Sequence, residues 1–141
     1  YHILNNITWE KPNPPPNLSC RFFTHSTETL LWAKKDKKAK HIFHYDMMKI
    51  QNNGKQMKSV WMFPPPNKTE KTFGKHPTQK PLALLERCIL AASNVGDLIF
   101  DPFMGSGTTG VAAIKNGRKF CGCEMKQNFF ELAEKRITNG T

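Results

Sequence analysis

The chain has 141 residues and a formal net charge of +10, and 38% of its residues are hydrophobic. This composition excludes a disordered chain and is sufficient to bury a core, while no apolar run reaches the roughly 18 residues of a membrane-spanning helix. The basic excess favours a polyanionic partner such as nucleic acid, although a generally basic surface would give the same net charge.

The four cysteines match no zinc-ligand spacing, and we expect them to be reduced thiols in a cytoplasmic protein without a metal. The chain opens on the strand-like run Tyr1-His-Ile-Leu4 and has no initiator methionine. We therefore expect it to be part of a longer protein.

Two strands are predicted in the first part of the chain, at Ile3–Trp9 and at Glu28–Ala33, where β-branched and aromatic residues are frequent. The segment Lys11–Asn17 lies between them and contains four prolines. Because proline removes a backbone donor, this segment can form neither a helix nor a central strand.

The segment Lys34–Ser59 has a different composition, with eight lysines against two aspartates and no hydrophobic period. It is predicted to be a mostly irregular surface insert. The run Lys34–Lys40 taken alone is typical of a solvated loop.

A regular alternation follows from Pro81 onward. Apolar spacing, glycine stops and short apolar runs predict, in order, a helix, a strand, a helix, a strand and a helix. Their ranges are Pro81–Ser93, Asp97–Asp101, Gly105–Asn116, Lys119–Glu124 and Lys126–Ile137. Such an order implies parallel strands joined by crossovers, as in half of a doubly wound α/β sheet.

A glycine-rich loop connects the first of these strands to its helix. Gly105, Gly107 and Gly110 have the spacing of a dinucleotide-binding turn, in which backbone amides approach a ligand at a helix N-terminus. Glu124 ends the next strand, where a carboxylate can accept hydrogen bonds from ribose hydroxyls. A tight packing turn and an acid near a helix start would explain each feature separately. Together they favour a nucleoside cofactor, and the spacing alone also allows NAD.

The loop sequence Asp101-Pro-Phe-Met-Gly-Ser-Gly-Thr-Thr109 resembles the signature of the amino-group DNA methyltransferases, which bind S-adenosyl-L-methionine. The upstream run His76-Pro-Thr-Gln-Lys-Pro81 resembles the segment that holds the methionine end of the cofactor, and its position indicates the permuted (β) class. The resemblance implies part of a doubly wound Rossmann-like sheet and a set of cofactor-binding residues. These are Asp101, Pro102, Phe103, Gly105, Ser106, Gly107, Thr108, Glu124, His76, Thr78 and Lys80.

The resemblance also implies a division by function: catalytic-side strands in 1–33, a basic target-recognition insert in 34–62 and the cofactor-binding subdomain in 63–141. Double-stranded DNA is the implied partner, and a homodimer or a partner subunit is a further expectation. Phosphate contacts from lysines would position the duplex, and amides would read base edges. The residues expected to contact DNA are Lys34, Lys35, Lys37, Lys38, Asn13, Asn52 and Asn53.

Transfer of a methyl group to an exocyclic amine needs acceptors that polarise the amine and an aromatic that stacks on the extruded base. Family members use an Asp-Pro-Pro-Tyr type tetrad for this purpose, and the nearest run here, Asn13-Pro-Pro-Pro16, lacks the aromatic. We expect the tetrad upstream of Tyr1 and the chain alone to be inactive.

The function expected from the sequence is therefore part of a bacterial restriction-modification DNA methyltransferase, acting on adenine or alternatively on cytosine. Three other interpretations stay open at this point. They are a non-catalytic DNA-binding partner subunit with the same fold, a nicotinamide-dependent oxidoreductase, and an enzyme that acts on RNA.

Overall fold

The computed structural model describes residues 1–140. The chain divides into two compact units, one ending at Pro65 and one starting at Pro66. Within the described range, none of the helices combines the length and apolar character needed to cross a membrane.

The first unit is built on a three-stranded sheet in the order β2-β1-β3. Strand β1 (His2–Glu10) pairs antiparallel with β2 (Thr27–Lys34), so that Ile7 lies opposite Leu30. Strand β3 (Val60–Met62) pairs in parallel with the end of β1. The two predicted strands in this part of the chain are thus present, each one residue longer at both ends.

The insert predicted to be mostly irregular contains one helix that the sequence analysis did not predict, α1 (Tyr45–Gln51). Its Met48 is only 1% exposed and joins the buried side chains of this unit. A seven-residue helix is too short to be stable by itself in water. Burial of Met48 therefore explains a helix that no apolar repeat indicates.

The second unit alternates helices and strands after a short 3₁₀ turn at Thr69–Lys71. Its elements are α2 (Leu82–Ala92), β4 (Leu98–Asp101), α3 (Thr108–Lys115), β5 (Lys119–Gly122) and α4 (Gln127–Asn139). Strands β4 and β5 are parallel, and Phe100 pairs with Cys121. The predicted α/β class and the predicted order of elements are confirmed.

Close packing in this unit depends on Gly110 in α3. A Cβ atom at Gly110 would lie 2.6 Å from Ile137 Cδ1 and 2.8 Å from the Phe120 ring. Only a residue without a side chain lets α3 approach both α4 and β5 this closely. The third glycine of the loop motif therefore serves helix packing.

Two predicted boundaries next to the candidate site are corrected by the structure. Helix α3 begins at Thr108 instead of Gly105, because Gly105 and Gly107 have φ angles of +53° and +72° and cannot belong to a right-handed helix. Strand β5 ends at Gly122, which leaves Glu124 in the connection to α4. Both changes lengthen the loops that form the candidate site.

Candidate functional site

The turn after β4 is held by Asp101. Its Oδ1 accepts a hydrogen bond from the backbone N–H of Phe103 at 3.1 Å, and its Oδ2 accepts one from the Thr109 hydroxyl at 2.7 Å. The carboxylate therefore joins the end of the strand to the first turn of α3. Phe103, at the tip of this turn, is 88% exposed.

Glu124 connects the end of β5 to the glycine loop. Its Oε2 accepts a hydrogen bond from the Gly105 N–H at 3.0 Å, and its Oε1 accepts one from the Lys126 N–H at 2.9 Å. The hydrogen bond from Lys126, followed by that from Gly105, lowers the pKa of Glu124 from its ordinary value, against the effect of burial. Glu124 is thus ionised at neutral pH, and each oxygen keeps a second lone pair that can accept from a ligand.

His76 packs against the other side of the same loop. Its ring centroid is 4.2 Å from that of Phe129, and a Cβ atom at Gly105 would lie 3.3 Å from its Nε2. The Thr78 N–H donates to Nδ1 at 3.2 Å. Burial is the main cause that lowers the pKa of His76, although the charge of Glu124 acts in the opposite direction. His76 is therefore neutral at pH 7 and accepts at Nδ1.

A cleft of about 180 Å³ opens between the His76 segment and the glycine loop. Most of the residues predicted to bind a cofactor line it. They are His76, Thr78 and Lys80 from the first segment and Asp101, Phe103, Gly105, Ser106 and Thr108 from the loop. Pro102, Gly107 and Glu124 do not line it, although Glu124 reaches its wall through the hydrogen bond with Gly105.

Gln79 also lines the cleft and was not predicted as a site residue. It is 8% exposed, and its Nε2 donates to the carbonyl oxygen of Glu70 at 2.8 Å. Its Oε1 is buried and has no hydrogen-bond partner among the described residues. Its place inside the run His76–Pro81 was the available sequence signal.

Arg136 is a second residue that the sequence analysis missed. This side chain of α4 is 5% exposed, and its Nη1 donates to the Ser106 carbonyl oxygen at 2.5 Å and to Thr108 Oγ1 at 3.0 Å. A guanidinium on the buried face of a helix is rare unless it is paired. The sequence signal was its spacing of three and four residues from Ala133 and Leu132, on the apolar face.

The four lysines predicted to contact DNA all lie in the first unit. One of them binds backbone carbonyl groups, and the other three are exposed. Lys34 donates from Nζ to the carbonyl oxygens of Lys37 and Ala39, each at 2.9 Å, and so closes the loop after β2. This geometry leaves one of its three protons for another acceptor. Lys35, Lys37 and Lys38 are exposed.

The predicted asparagines are also in the first unit. Asn13 is exposed in the β1–β2 connection, and Asn53 is exposed with a φ angle of +53°. Asn52 donates from Nδ2 to the carbonyl oxygens of Lys55 and Gln56 at 3.1 Å and 2.9 Å. Asn52 thus orders the turn after α1, whereas Asn13 and Asn53 are exposed to solvent.

Acidification is expected to destabilise the protein through two groups, His76 and Glu124. The pKa of His76 lies below its ordinary 6.5 and that of Glu124 below its ordinary 4.5, so the unfolded chain binds more protons than the folded chain. The contribution of neutral His76 to the free energy of unfolding is complete above pH 6.5 and is lost as pH falls through its lowered pKa. The contribution of ionised Glu124 to the free energy of unfolding is complete above pH 4.5 and is lost as pH falls through its own lowered pKa.

Thermal unfolding followed from neutral pH to about pH 3 tests this expectation. His76→Gln and Glu124→Gln should each remove part of the stability that is lost on acidification. The matched control is His25→Gln, at an exposed histidine of the first unit. A pH profile that neither site variant alters would contradict the assignment.

Among residues 1–140, no group of three or more histidine, cysteine, aspartate or glutamate side chains is arranged to hold a metal ion. The features that define the candidate site are its glycine loop, its hydroxyls and its charged groups. On parallel strands of an α/β unit, these are the features of a nucleoside-binding cleft.

The DNA methylase family, described as N6/N4 methyltransferases, matches residues 1–135, and the chain belongs to this family. The chain is 60% identical over 138 residues to the Type II methyltransferase M2.DpnII of Streptococcus pneumoniae, a match that covers 97% of this chain and 52% of that protein. It is 57% identical over 141 residues to the Type II methyltransferase M2.LlaDCHI of Lactococcus lactis subsp. cremoris, a match that covers 99% of this chain and 52% of that protein. The chain thus spans about half the length of these relatives.

The fold is similar to that of solved methyltransferases. The crystal structure of an M1.HpyAVI–SAM complex has a TM-score of 0.80 and 41% identity, and the likeness covers 96% of this chain and 62% of that one. The PvuII cytosine-N4-specific DNA methyltransferase has a TM-score of 0.76 and 23% identity, and the likeness covers 94% of this chain and 50% of that one. At this identity the likeness shows only the fold. The fold expected from the resemblance, part of a Rossmann-like methyltransferase sheet, is confirmed.

Proposed function

We propose that this chain supplies the S-adenosyl-L-methionine site and part of the DNA-contacting surface of a DNA methyltransferase that methylates an exocyclic amine. The observation that supports it most is the glycine loop held between Glu124 and His76 beside an open cleft. The M1.HpyAVI–SAM complex, a solved structure 41% identical to this chain, has a similar fold. The methyl group would come from this cofactor.

Residues in the cleft, together with Glu124 beside it, match the three parts of such a ligand. Ionised Glu124 has unused lone pairs for the two ribose hydroxyls. Exposed Phe103 offers a ring face for the adenine. Ser106, Thr108 and Lys80 line the same cleft and supply two hydroxyls and a cation for the methionine carboxylate. A side chain at Gly105 would contact His76 and fill this space, which supports the use of glycine there.

Double-stranded DNA is the proposed substrate, and adenine is the base that the resemblance implies first. Nucleoside analysis of DNA methylated by the protein separates N6-methyladenine from N4-methylcytosine. The exposed lysines of the 34–40 loop supply phosphate contacts on this proposal.

Alanine at Lys35, Lys37 or Lys38 is expected to reduce the dependence of DNA affinity on salt. Each lost phosphate contact should lower the slope of log K against log salt by about 0.9, because fewer counterions are released on binding. Lys115→Ala is the matched control, since Lys115 is exposed in the second unit and lies 2.9 Å from Glu86 Oε1. Slopes equal to that of the unchanged protein in all three variants would exclude this loop from the interface.

Calorimetric titration with S-adenosyl-L-methionine, with NAD as the control ligand, tests the cofactor. Saturable binding of S-adenosyl-L-methionine alone is expected. Binding of NAD alone would contradict the proposal. Transfer of a labelled methyl group to duplex DNA is then measured with the full-length protein, because this chain without the tetrad is expected to be inactive. Saturable cofactor and DNA binding by the full-length protein without any transfer would favour a non-catalytic partner subunit instead.

A further inference from the structure

The inner wall of the cleft carries a pair of hydroxyl groups backed by a buried cation. Ser106 and Thr108 are 4% and 5% exposed, yet both line the cleft. Arg136 lies behind them on α4, and its Nη1 donates to the Ser106 carbonyl oxygen and to Thr108 Oγ1. One guanidinium therefore fixes both the backbone of the loop and one of its hydroxyls.

The direction of the hydroxyl protons follows from what each group can donate. Arginine has donors only, so Thr108 Oγ1 must accept from Arg136, and its single proton points elsewhere. Ser106 Oγ is 3.4 Å from Thr108 Oγ1, longer than the roughly 2.7–2.8 Å of a well-formed hydroxyl pair. Whichever hydroxyl donates to the other, the pair keeps one proton that neither hydroxyl accepts, and both residues line the cleft, where an acceptor could take it.

The charge of Arg136 adds a preference for an anionic acceptor. Burial lowers the pKa of Arg136, and Glu70 is the acid whose charge opposes this shift. A buried cation is costly unless an opposite charge lies near it. A carboxylate at the hydroxyl pair would provide that charge on the side of the cleft.

We infer that Arg136 is a positioning residue that acts through Thr108 and Ser106 to hold a hydrogen-bond donor toward a carboxylate in the cleft. This inference rests on the proposed function, on which the carboxylate is that of the methionine part of S-adenosyl-L-methionine. Arg136 does not itself line the cleft, and its effect on the ligand passes through the two hydroxyls.

The test compares two ligands that differ only in this carboxylate, S-adenosyl-L-methionine and its decarboxylated form. Arg136→Met is expected to weaken binding of S-adenosyl-L-methionine roughly tenfold to a hundredfold, the effect of a lost hydrogen bond to a charged group. Binding of the decarboxylated ligand should change little. An equal loss for both ligands would show a purely structural role and overturn the inference, as would no loss for either.

A second pair of variants keeps the test decisive if Arg136→Met does not fold. Thr108→Val removes the hydroxyl at nearly constant shape and should reproduce the carboxylate-specific loss, whereas Thr108→Ser keeps the hydroxyl and should restore affinity. Equal affinities of the Val and Ser variants for S-adenosyl-L-methionine would overturn this inference but leave the proposed function standing. An unchanged protein that binds neither ligand would contradict the proposed function as well.

Discussion

Gly107→Ala is expected to destabilise the protein by about 2–4 kcal/mol, from backbone strain and overpacking combined. Gly107 has a φ angle of +72°, where an L-residue is strained. A Cβ atom there would lie 2.8 Å from Ala133 Cβ and 3.0 Å from Ala133 Cα. Because the second of these is a backbone atom, no side-chain rotation relieves the contact, and α4 must move. Denaturant unfolding measures the loss.

Gly96→Ala is the matched control in the same unit. Gly96 has a φ angle of +85°, and a Cβ atom added there would meet no atom within 4 Å, so its substitution tests strain without overpacking. Its expected cost is about 1–2 kcal/mol. If both variants lose the same stability, the close approach of α3 to α4 does not explain the glycine at position 107.

The packing at Gly107 also matters for the cleft. Ala133 and Arg136 lie on the same face of α4, so a shift of this helix that relieves Ala133 would also displace the guanidinium from Ser106 and Thr108. The loop motif therefore has two roles. Gly105 lets the backbone approach His76 and the ligand space, while Gly107 and Gly110 let helices pack.

The alternating elements of the second unit were predictable because each carries its own local signal. Helix α2 has apolar residues at helical spacing, β4 is a short apolar run, and Gly117 ends the segment that follows the glycine loop. Such signals depend only on neighbours in sequence. The order of elements then restricts the fold to a parallel α/β arrangement.

The parts that escaped prediction depend on contacts between distant residues. Strand β3 has three residues and exists because Trp61 pairs with Trp9 of β1. Helix α1 forms around buried Met48. Neither β3 nor α1 has a periodic apolar pattern in the sequence, so burial against distant residues determines both elements.

The candidate site also divides into residues that a local sequence signal indicates and residues that only contacts between distant parts of the chain reveal. Gly105, Gly107, His76 and Glu124 were predicted as cofactor residues from the motifs, and they lie together around the glycine loop. Arg136 was missed because a charged residue on an amphipathic helix is usually assigned to the solvated face. Sequence also cannot tell which lysine of a run binds loop carbonyl groups, as Lys34 does.

Glu124→Ala is expected to weaken S-adenosyl-L-methionine binding roughly a hundredfold or more, from the loss of charge-assisted hydrogen bonds. The substitution removes the proposed acceptors of the ribose hydroxyls and at the same time frees the Gly105 N–H, which now donates to Oε2 at 3.0 Å. Glu124→Gln separates these effects, because an amide oxygen can still accept from Gly105 but has no charge. Its expected affinity lies between those of the unchanged protein and the alanine variant.

Glu131→Gln provides the control for loss of one negative charge, since Glu131 is exposed on α4 and contacts Gln127. Calorimetric titration of the three variants should rank them with Glu131→Gln unchanged, Glu124→Gln intermediate and Glu124→Ala weakest. If Glu124→Ala binds as tightly as Glu131→Gln, the carboxylate serves only to hold the glycine loop and the start of α4. The ribose would then need another acceptor, and the orientation proposed for the cofactor in the cleft would be wrong.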